Sequence, residues 1–192
     1  MKILLVSFLG KIRSWLSGYT YRLMLSVHER KEWEGFTIYG GDESDFALVL
    51  DGIRVLREAD LSRFRRAQRA ALSVLWAPKG TVFIPAERML YLNRRDHCHP
   101  VAVAVALVDV ATQAVLLRRF PNDEKLSSAH RAVCSREVES YLRRLGELRG
   151  LTQPEMDSFI EKVRLVNEGT TDRGVGHIDK DHVLDRLIDK KW

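Results

Sequence analysis

The sequence predicts an α+β fold that is mainly α-helical. Several long segments place apolar residues at helical spacing, "FTIYGG" at residues 36–41 is typical of a strand and turn, and residues 81–93 resemble a β-hairpin. The chain has 192 residues, of which 45% are hydrophobic and 30% are charged. These values are ordinary for a soluble globular protein and suit one domain with a proper core.

Residues 1–35 form a separate N-terminal segment in this prediction. The run "ILLVSFL" is shorter than the roughly 20 apolar residues of a membrane span, and Lys11 and Arg13 follow it closely. An amphipathic helix fits better, and it would pack on the domain or on a partner. Peripheral membrane contact through residues 1–30 is the alternative. The apolar face of this helix would consist of Leu5, Leu9, Ile12, Leu16, Tyr19 and Leu23.

The first half of the domain predicts a strand followed by two helices. Asp42 or Ser44 can cap a helix through residues 46–59, and Asp60 can cap the next. We expect that second helix to continue through "LSRFRRAQRAALSVLWA" until Pro78 and Gly80 stop it.

The second half predicts a hairpin and three helices. "TVFI" and "MLYLN" flank the turn "PAER", and Pro100 suits the first turn of a helix to about Arg119, although "VAVAVA" could instead be a strand. Asn122 or Asp123 can start a helix that Gly150 closes. Thr152 and Glu155 have the spacing of a capping box. The domain then covers residues 36–168, and residues 169–192 form a polar tail with a short last helix.

Polar residues in the helix after the hairpin point to a site. Asp109, Thr112 and Gln113 lie at i, i+3 and i+4 in the otherwise apolar stretch "VALVDVATQAVL". On a helix this spacing places all three on one face.

The order of these motifs resembles a group of bacterial zincin-like proteins. The shared frame runs from "FTIYGGDESDFALVLDGIRVL" through the hairpin to "ALVDVATQAVLLRRF" and "CSREVESYLRRL", over roughly residues 36–148. In that group the hairpin precedes a helix with the motif L-V-H-E-A-T-H-A, and the next helix carries R-I-E-x-x-C-x-x-E. The resemblance implies a zincin-like helical core with a small sheet.

The metal-binding identities of that group are replaced in this chain. Two imidazoles one turn apart hold zinc in an H-E-x-x-H helix, and the glutamate acts on the metal-bound water. The resemblance aligns the two histidines with Asp109 and Gln113 and the glutamate with Val110.

The following helix departs from the group at one further position. Its ligand glutamate aligns with Arg131, whereas Cys134 and Glu137 match the group's cysteine and later acid. A guanidinium cannot ligate a metal, but it can place a positive charge where the metal was.

These changes suggest a hydrogen-bonded network in place of a metal. We expect Arg131 to pair with Asp109, with Gln113 and Glu137 completing the network, because a buried carboxylate needs a partner. The alternative is that Asp109 faces solvent or caps a neighbouring element.

Other candidate ligands have weaker patterns. His97, Cys98 and His99 are adjacent in a loop, so their side chains point different ways, and a role in the loop or at the helix start is expected. His177 and His182 lie in the polar tail. The two cysteines, Cys98 and Cys134, are far apart in sequence and favour a reducing, cytoplasmic compartment.

The sequence therefore favours a non-catalytic zincin-like domain that acts as a binding or regulatory module, without a metal or cofactor and with a protein partner. A hydrolase that uses Asp109, Gln113 and Glu137 as oxygen ligands is the first alternative, although Val110 leaves it without a general base. The second is nucleic-acid binding through the arginines of residues 54–69. The net charge of +5 is too small to favour it.

Overall fold

The structure of the protein is a computed structural model. It describes residues 28–71, 73–77, 81–94, 97–120 and 127–167, together with Leu25; for residues 77 and 162–167 it describes the backbone. The predicted N-terminal helix, the candidate starts Asn122 and Asp123, and the polar tail lie outside these ranges.

The described chain forms a mixed five-stranded sheet and five helices, which confirms the predicted α+β, mainly helical class. In chain order the strands are β1 (Glu29–Trp33), β2 (Phe36–Gly40), β3 (Ser73–Ala77), β4 (Val82–Ile84) and β5 (Met89–Asn93). The helices are α1 (Glu43–Ala59), α2 (Leu61–Ala70), α3 (Pro100–Arg119), α4 (Ser128–Arg149) and α5 (Gln153–Asn167).

The sheet has the strand order β1-β2-β3-β5-β4. Its three central strands are parallel, and the edge strands β1 and β4 are each antiparallel to their neighbour. Strand β1 precedes residue 36, so the sheet includes part of the segment that the sequence analysis assigned to the N-terminus. A two-residue turn joins β1 to β2, and Glu34 and Gly35 both have positive φ (46° and 79°), as a type I′ turn requires.

The predicted helix over residues 61–77 is wrong in its second half. Helix α2 ends at Ala70, and residues 73–77 form β3 between β2 and β5. Leu61 belongs to the apolar spacing that suggested one long helix, but it is 49% exposed. Val74 and Leu75 are buried, and they are buried as residues of the sheet. Two neighbouring strands offer the segment "SVLWA" a backbone ladder and a core, and this tertiary context overrides its helical pattern.

Most of the predicted helix ends are confirmed. Asp42 caps α1 and Asp60 caps α2 by accepting backbone N–H groups, and Gly150 ends α4 in the left-handed conformation. The Thr152 N–H donates to Glu155 Oε2 at 2.8 Å, as the capping box predicts. Helix α4 begins after its cap Ser127, whose side chain accepts the His130 N–H, in agreement with the helix start that the sequence predicts at Ser127 and Ser128.

Helix α3 is the centre of the domain. It contacts α1, α2 and α4, and residues on all of its sides are buried, so "VAVAVA" is helix and not strand. Its length and composition would allow it to cross a membrane, but most of it is buried inside the domain, which is the pattern of a core helix in a soluble protein.

Close packing between α1 and α3 depends on Gly52. A Cβ at this position would lie 2.6 Å from Val103 Cβ and 2.9 Å from the Pro100 carbonyl oxygen, and neither atom can rotate away. A side chain at position 52 would therefore push the two helices apart.

We expect Gly52→Ala to destabilise the protein although alanine favours helices by about 1 kcal/mol. Overpacking costs about 1–3 kcal/mol and should outweigh that gain. Gly146→Ala in α4 is the matched control, because its Cβ would meet the flexible end of Met156. Urea unfolding should show a clear loss for the first variant and a smaller change for the second; equal effects would contradict the packing argument.

Candidate functional site

Asp109, Gln113 and Cys134 form one polar cluster between α3 and α4. The Gln113 amide Nε2 donates a hydrogen bond to Asp109 Oδ2 at 2.7 Å along α3. Across the helix interface, the Cys134 side chain hydrogen-bonds to the same carboxyl group. The prediction that Asp109 and Gln113 pair is confirmed, and the contact with Cys134 adds a partner that the sequence analysis had not assigned.

The ends of α3 and α4 show how this cluster is assembled. The rings of Phe120 and His130 lie 4.9 Å apart, so the end of α3 meets the start of α4. Asp109 precedes Phe120 in α3, whereas Cys134 follows His130 in α4, and Asp109 and Cys134 also lie together. The two helices therefore run antiparallel. Arg131 lies one turn before Cys134 in α4, and its side chain is exposed.

Burial dominates the electrostatics of the cluster. It raises the pKa of the Asp109 carboxyl, against the opposing hydrogen bonds from Gln113 and Cys134. Burial and the nearby charge of Asp109 raise the pKa of the Cys134 thiol to about 12, so the thiol stays protonated at neutral pH. The cluster is thus a site of weakly acidic groups without a strong nucleophile.

Thr112 and Val110 have structural roles and do not join the polar cluster. Thr112 Oγ1 is buried and donates to the Val108 carbonyl oxygen one turn earlier, at 2.9 Å. Val110 is 3% exposed and belongs to the hydrophobic core. The predicted common face therefore brings Asp109 and Gln113 together but leaves Thr112 bonded to its own helix.

The predicted pair between Arg131 and Asp109 is wrong. Arg131 lies on the exposed side of α4, and within the described ranges it makes no ion pair. The cost of burying a guanidinium explains this position, because the neutral groups of Gln113 and Cys134 already satisfy the Asp109 carboxyl.

Glu137 was also placed in the wrong network. Its Oε2 lies 3.1 Å from Arg63 Nη2 and 3.3 Å from Arg66 Nη1, so it ties α4 to α2. Arginines from α2 reach it because Arg63 and Arg66 are one turn apart on the side of α2 that faces α4. Glu137 therefore does not join Asp109 and Gln113 in one set of oxygen ligands.

A second polar centre surrounds Asp60, which sequence reasoning identified only as a helix cap. Its carboxyl is 3% exposed, accepts the Arg63 N–H at 3.0 Å and pairs with Arg63 Nη1 at 2.6 Å and Arg144 Nη1 at 3.3 Å. Burial alone would raise the pKa of Asp60, but these hydrogen bonds and positive charges outweigh it and lower the pKa. The i, i+3 spacing of Asp60 and Arg63 was the available sequence signal.

The histidines before α3 serve the loop that contains them. His99 Nδ1 accepts the Val101 N–H at 3.1 Å and caps α3, and His97 Nδ1 lies 3.1 Å from the Asn93 carbonyl oxygen. Cys98 is exposed. The expected helix-start role is confirmed for His99.

Potential metal ligands are scattered in the part of the chain that the structure describes. Within it, no three His, Cys, Asp or Glu side chains group closely enough to hold one ion. The residues that the resemblance aligns with metal ligands do not fit zinc, since Arg131 cannot ligate and the Gln113 amide is bonded to Asp109. His177 and His182 lie outside the described residues.

Comparisons with protein-family models, with curated proteins and with solved structures find no match for this chain. The fold and the cluster define a mainly helical α+β domain with a partly buried carboxyl and amide beside a buried thiol. The zincin-like relationship stays a prediction.

We expect the pH dependence of stability to reveal the raised pKa of Asp109. A raised folded-state pKa contributes stability that is complete below the unfolded value of about 3.9 and is lost as pH rises through the folded value. Asp109→Asn removes this loss and keeps a hydrogen-bond acceptor. The variant should therefore gain stability relative to wild type as pH rises from about 4 to neutral in urea unfolding.

Asp60→Asn is the control with the opposite sign. Its lowered folded-state pKa contributes stability above the unfolded value that is lost as pH falls. The disadvantage of this variant should therefore grow as pH rises. If the stability of both variants relative to wild type changed with pH in the same direction, the opposite pKa shifts assigned to Asp109 and Asp60 would be contradicted.

The two thiols should differ in reactivity. Cys98 is exposed, whereas Cys134 is buried and has a pKa of about 12. At pH 8, iodoacetamide should label one cysteine per native chain quickly and both cysteines in urea, as counted by mass spectrometry. Rapid native labelling of a Cys98→Ala variant would show that Cys134 is open to solvent.

Proposed function

We propose that this protein is a non-catalytic domain of zincin-like design that acts as a binding or regulatory module for another protein. The observation that carries this proposal is the hydrogen-bonded group of Asp109, Gln113 and Cys134. The resemblance aligns these three residues with two metal ligands and the cysteine of the zincin-like group.

The side chains of the cluster support a structural role over a catalytic one. Val110 stands at the position of the general base and is packed in the core. The Cys134 thiol, with a pKa of about 12, is not suited to attack a substrate at neutral pH. Glu137, the third oxygen ligand of the alternative hydrolase, is bonded to two arginines of α2.

The order of elements supports the scaffold part of the proposal. A hairpin of β4 and β5 precedes α3, and α4 packs beside α3 with Cys134 against Asp109. This is the order that the resemblance implies for the two metal-binding helices. A binding module can keep such a scaffold after the metal residues are replaced, because fold and function are separable.

Restoring the metal ligands tests the proposal directly. The triple variant Asp109→His, Gln113→His, Arg131→Glu places two imidazoles one turn apart and a carboxylate on the facing helix, as a three-ligand zinc site requires. It leaves Val110 in the core, so the variant should fold. We expect it to retain about one zinc per chain after dialysis, measured by elemental analysis.

The matched control moves the same three changes to other faces of the same helices. Val115→His, Arg119→His and Arg136→Glu repeat the spacing at exposed positions, and this variant should bind zinc weakly. Equal zinc affinity in both folded variants would contradict the proposed zincin-like geometry. About one tightly held metal per wild-type chain would overturn the non-catalytic proposal in favour of the hydrolase.

A further inference from the structure

Helix α2 carries four arginines and no acidic residue, and its two sides differ in how those arginines are neutralised. Arg63 and Arg66 pair with acidic residues on the side that faces α4. Arg65 and Arg69, one turn apart on the exposed side, have no acidic partner among the described residues. This exposed side therefore presents a positive charge that the domain itself does not use.

Three further arginines lie at the same end of the domain. Arg88 Nη2 donates to the Arg69 carbonyl oxygen at 2.6 Å, and Arg118 Nη2 lies 3.3 Å from the same oxygen. The Arg119 guanidinium lies 6.0 Å from the centre of the Phe120 ring. We name this region the arginine surface; it consists of Arg65, Arg69, Arg88, Arg118 and Arg119 with Val115 and Phe120.

The helix dipole explains part of this charge. Arg88 and Arg118 compensate the partial negative charge at the carboxyl end of α2 through its last carbonyl oxygens. Arg65, Arg69 and Arg119 make no such bond in the described structure. By contrast, Arg54 and Arg143 bind nearby carboxylates.

Two exposed apolar side chains lie beside Arg118 and Arg119 at the end of α3. Val115 is 47% exposed and Phe120 is 43% exposed, and both rank among the most exposed large apolar residues that the structure describes. Val115 shares a helix face with Arg118 and Arg119 by its i+3 and i+4 spacing. A combination of arginine, exposed aromatic and aliphatic side chains matches the interface of an anionic bilayer, where phosphates meet acyl chains.

We propose that the arginine surface docks the domain on a membrane that contains anionic phospholipids. The guanidinium groups of Arg65, Arg69 and Arg119 bind lipid phosphates, and Phe120 and Val115 enter the boundary between headgroups and acyl chains. Nucleic acid would satisfy the arginines but would leave Val115 exposed to water, so the bilayer is the better match. This inference does not rest on Asp109, Gln113 or Cys134.

The test uses the full chain and vesicles of phosphatidylcholine with or without phosphatidylserine. We expect co-sedimentation with the anionic vesicles and little with the neutral ones. Replacing Arg65, Arg69 and Arg119 together with glutamine should weaken binding on the order of a hundredfold, because each basic residue near an anionic surface contributes about fivefold. Phe120→Ser should weaken it by about tenfold.

The matched control replaces Arg30, Arg54 and Arg143 with glutamine, which removes the same charge from arginines that pair with acids. This variant should bind nearly as well as the wild type. Equal loss in both triple variants would assign binding to net charge, and vesicle binding that the first triple leaves unchanged would assign it to another segment; either result overturns the proposal. So would binding to a DNA duplex that depends on the three arginines without any preference for phosphatidylserine.

Discussion

The burial of α3 is the constraint on which the rest of this structure depends. Helix α3 is surrounded by α1, α2 and α4, so nearly every side chain along it has to be apolar or find a partner inside the domain. The backbone N–H and C=O groups of α3 are hydrogen-bonded within the helix, so the helix can be buried in the core. Gly52 brings α1 close to one side, and the thiol of Cys134 comes close on another.

That constraint explains the chemistry of the polar cluster. A carboxyl group in such surroundings loses the solvation of its charge, and neutral partners are cheaper to bury beside it than a guanidinium. Asp109 therefore pairs with an amide and a thiol, while Arg131 stays at the surface. The amide of Gln113 is bonded to the carboxyl and the Cys134 thiol stays protonated, so the cluster offers no set of metal ligands and no thiolate nucleophile, which is why we favour a binding module.

The arginines divide into two groups according to whether they contact a carboxyl group. Those that approach a buried carboxyl are fixed in place, as Arg63 and Arg144 are around Asp60. Those on the outer side of α2 and at the end of α3 have no acidic partner in the described structure, and their charge is directed to solvent. Charge composition alone does not separate the two groups, since a net charge of +5 describes the whole chain.

The sequence by itself determined the elements whose signals are local. The caps at Asp42 and Asp60, the ending of α4 at Gly150, the β4–β5 hairpin and the pairing of Asp109 with Gln113 depend on residues a few positions apart, so spacing and residue type were sufficient. The tertiary structure decided the features that depend on distant segments. It made residues 73–77 a strand, because β2 and β5 supply hydrogen bonds that periodicity does not show. It also directed Glu137 to Arg63 and Arg66 and joined Cys134 to Asp109, because only the packing of α2, α3 and α4 decides which polar groups share a buried space.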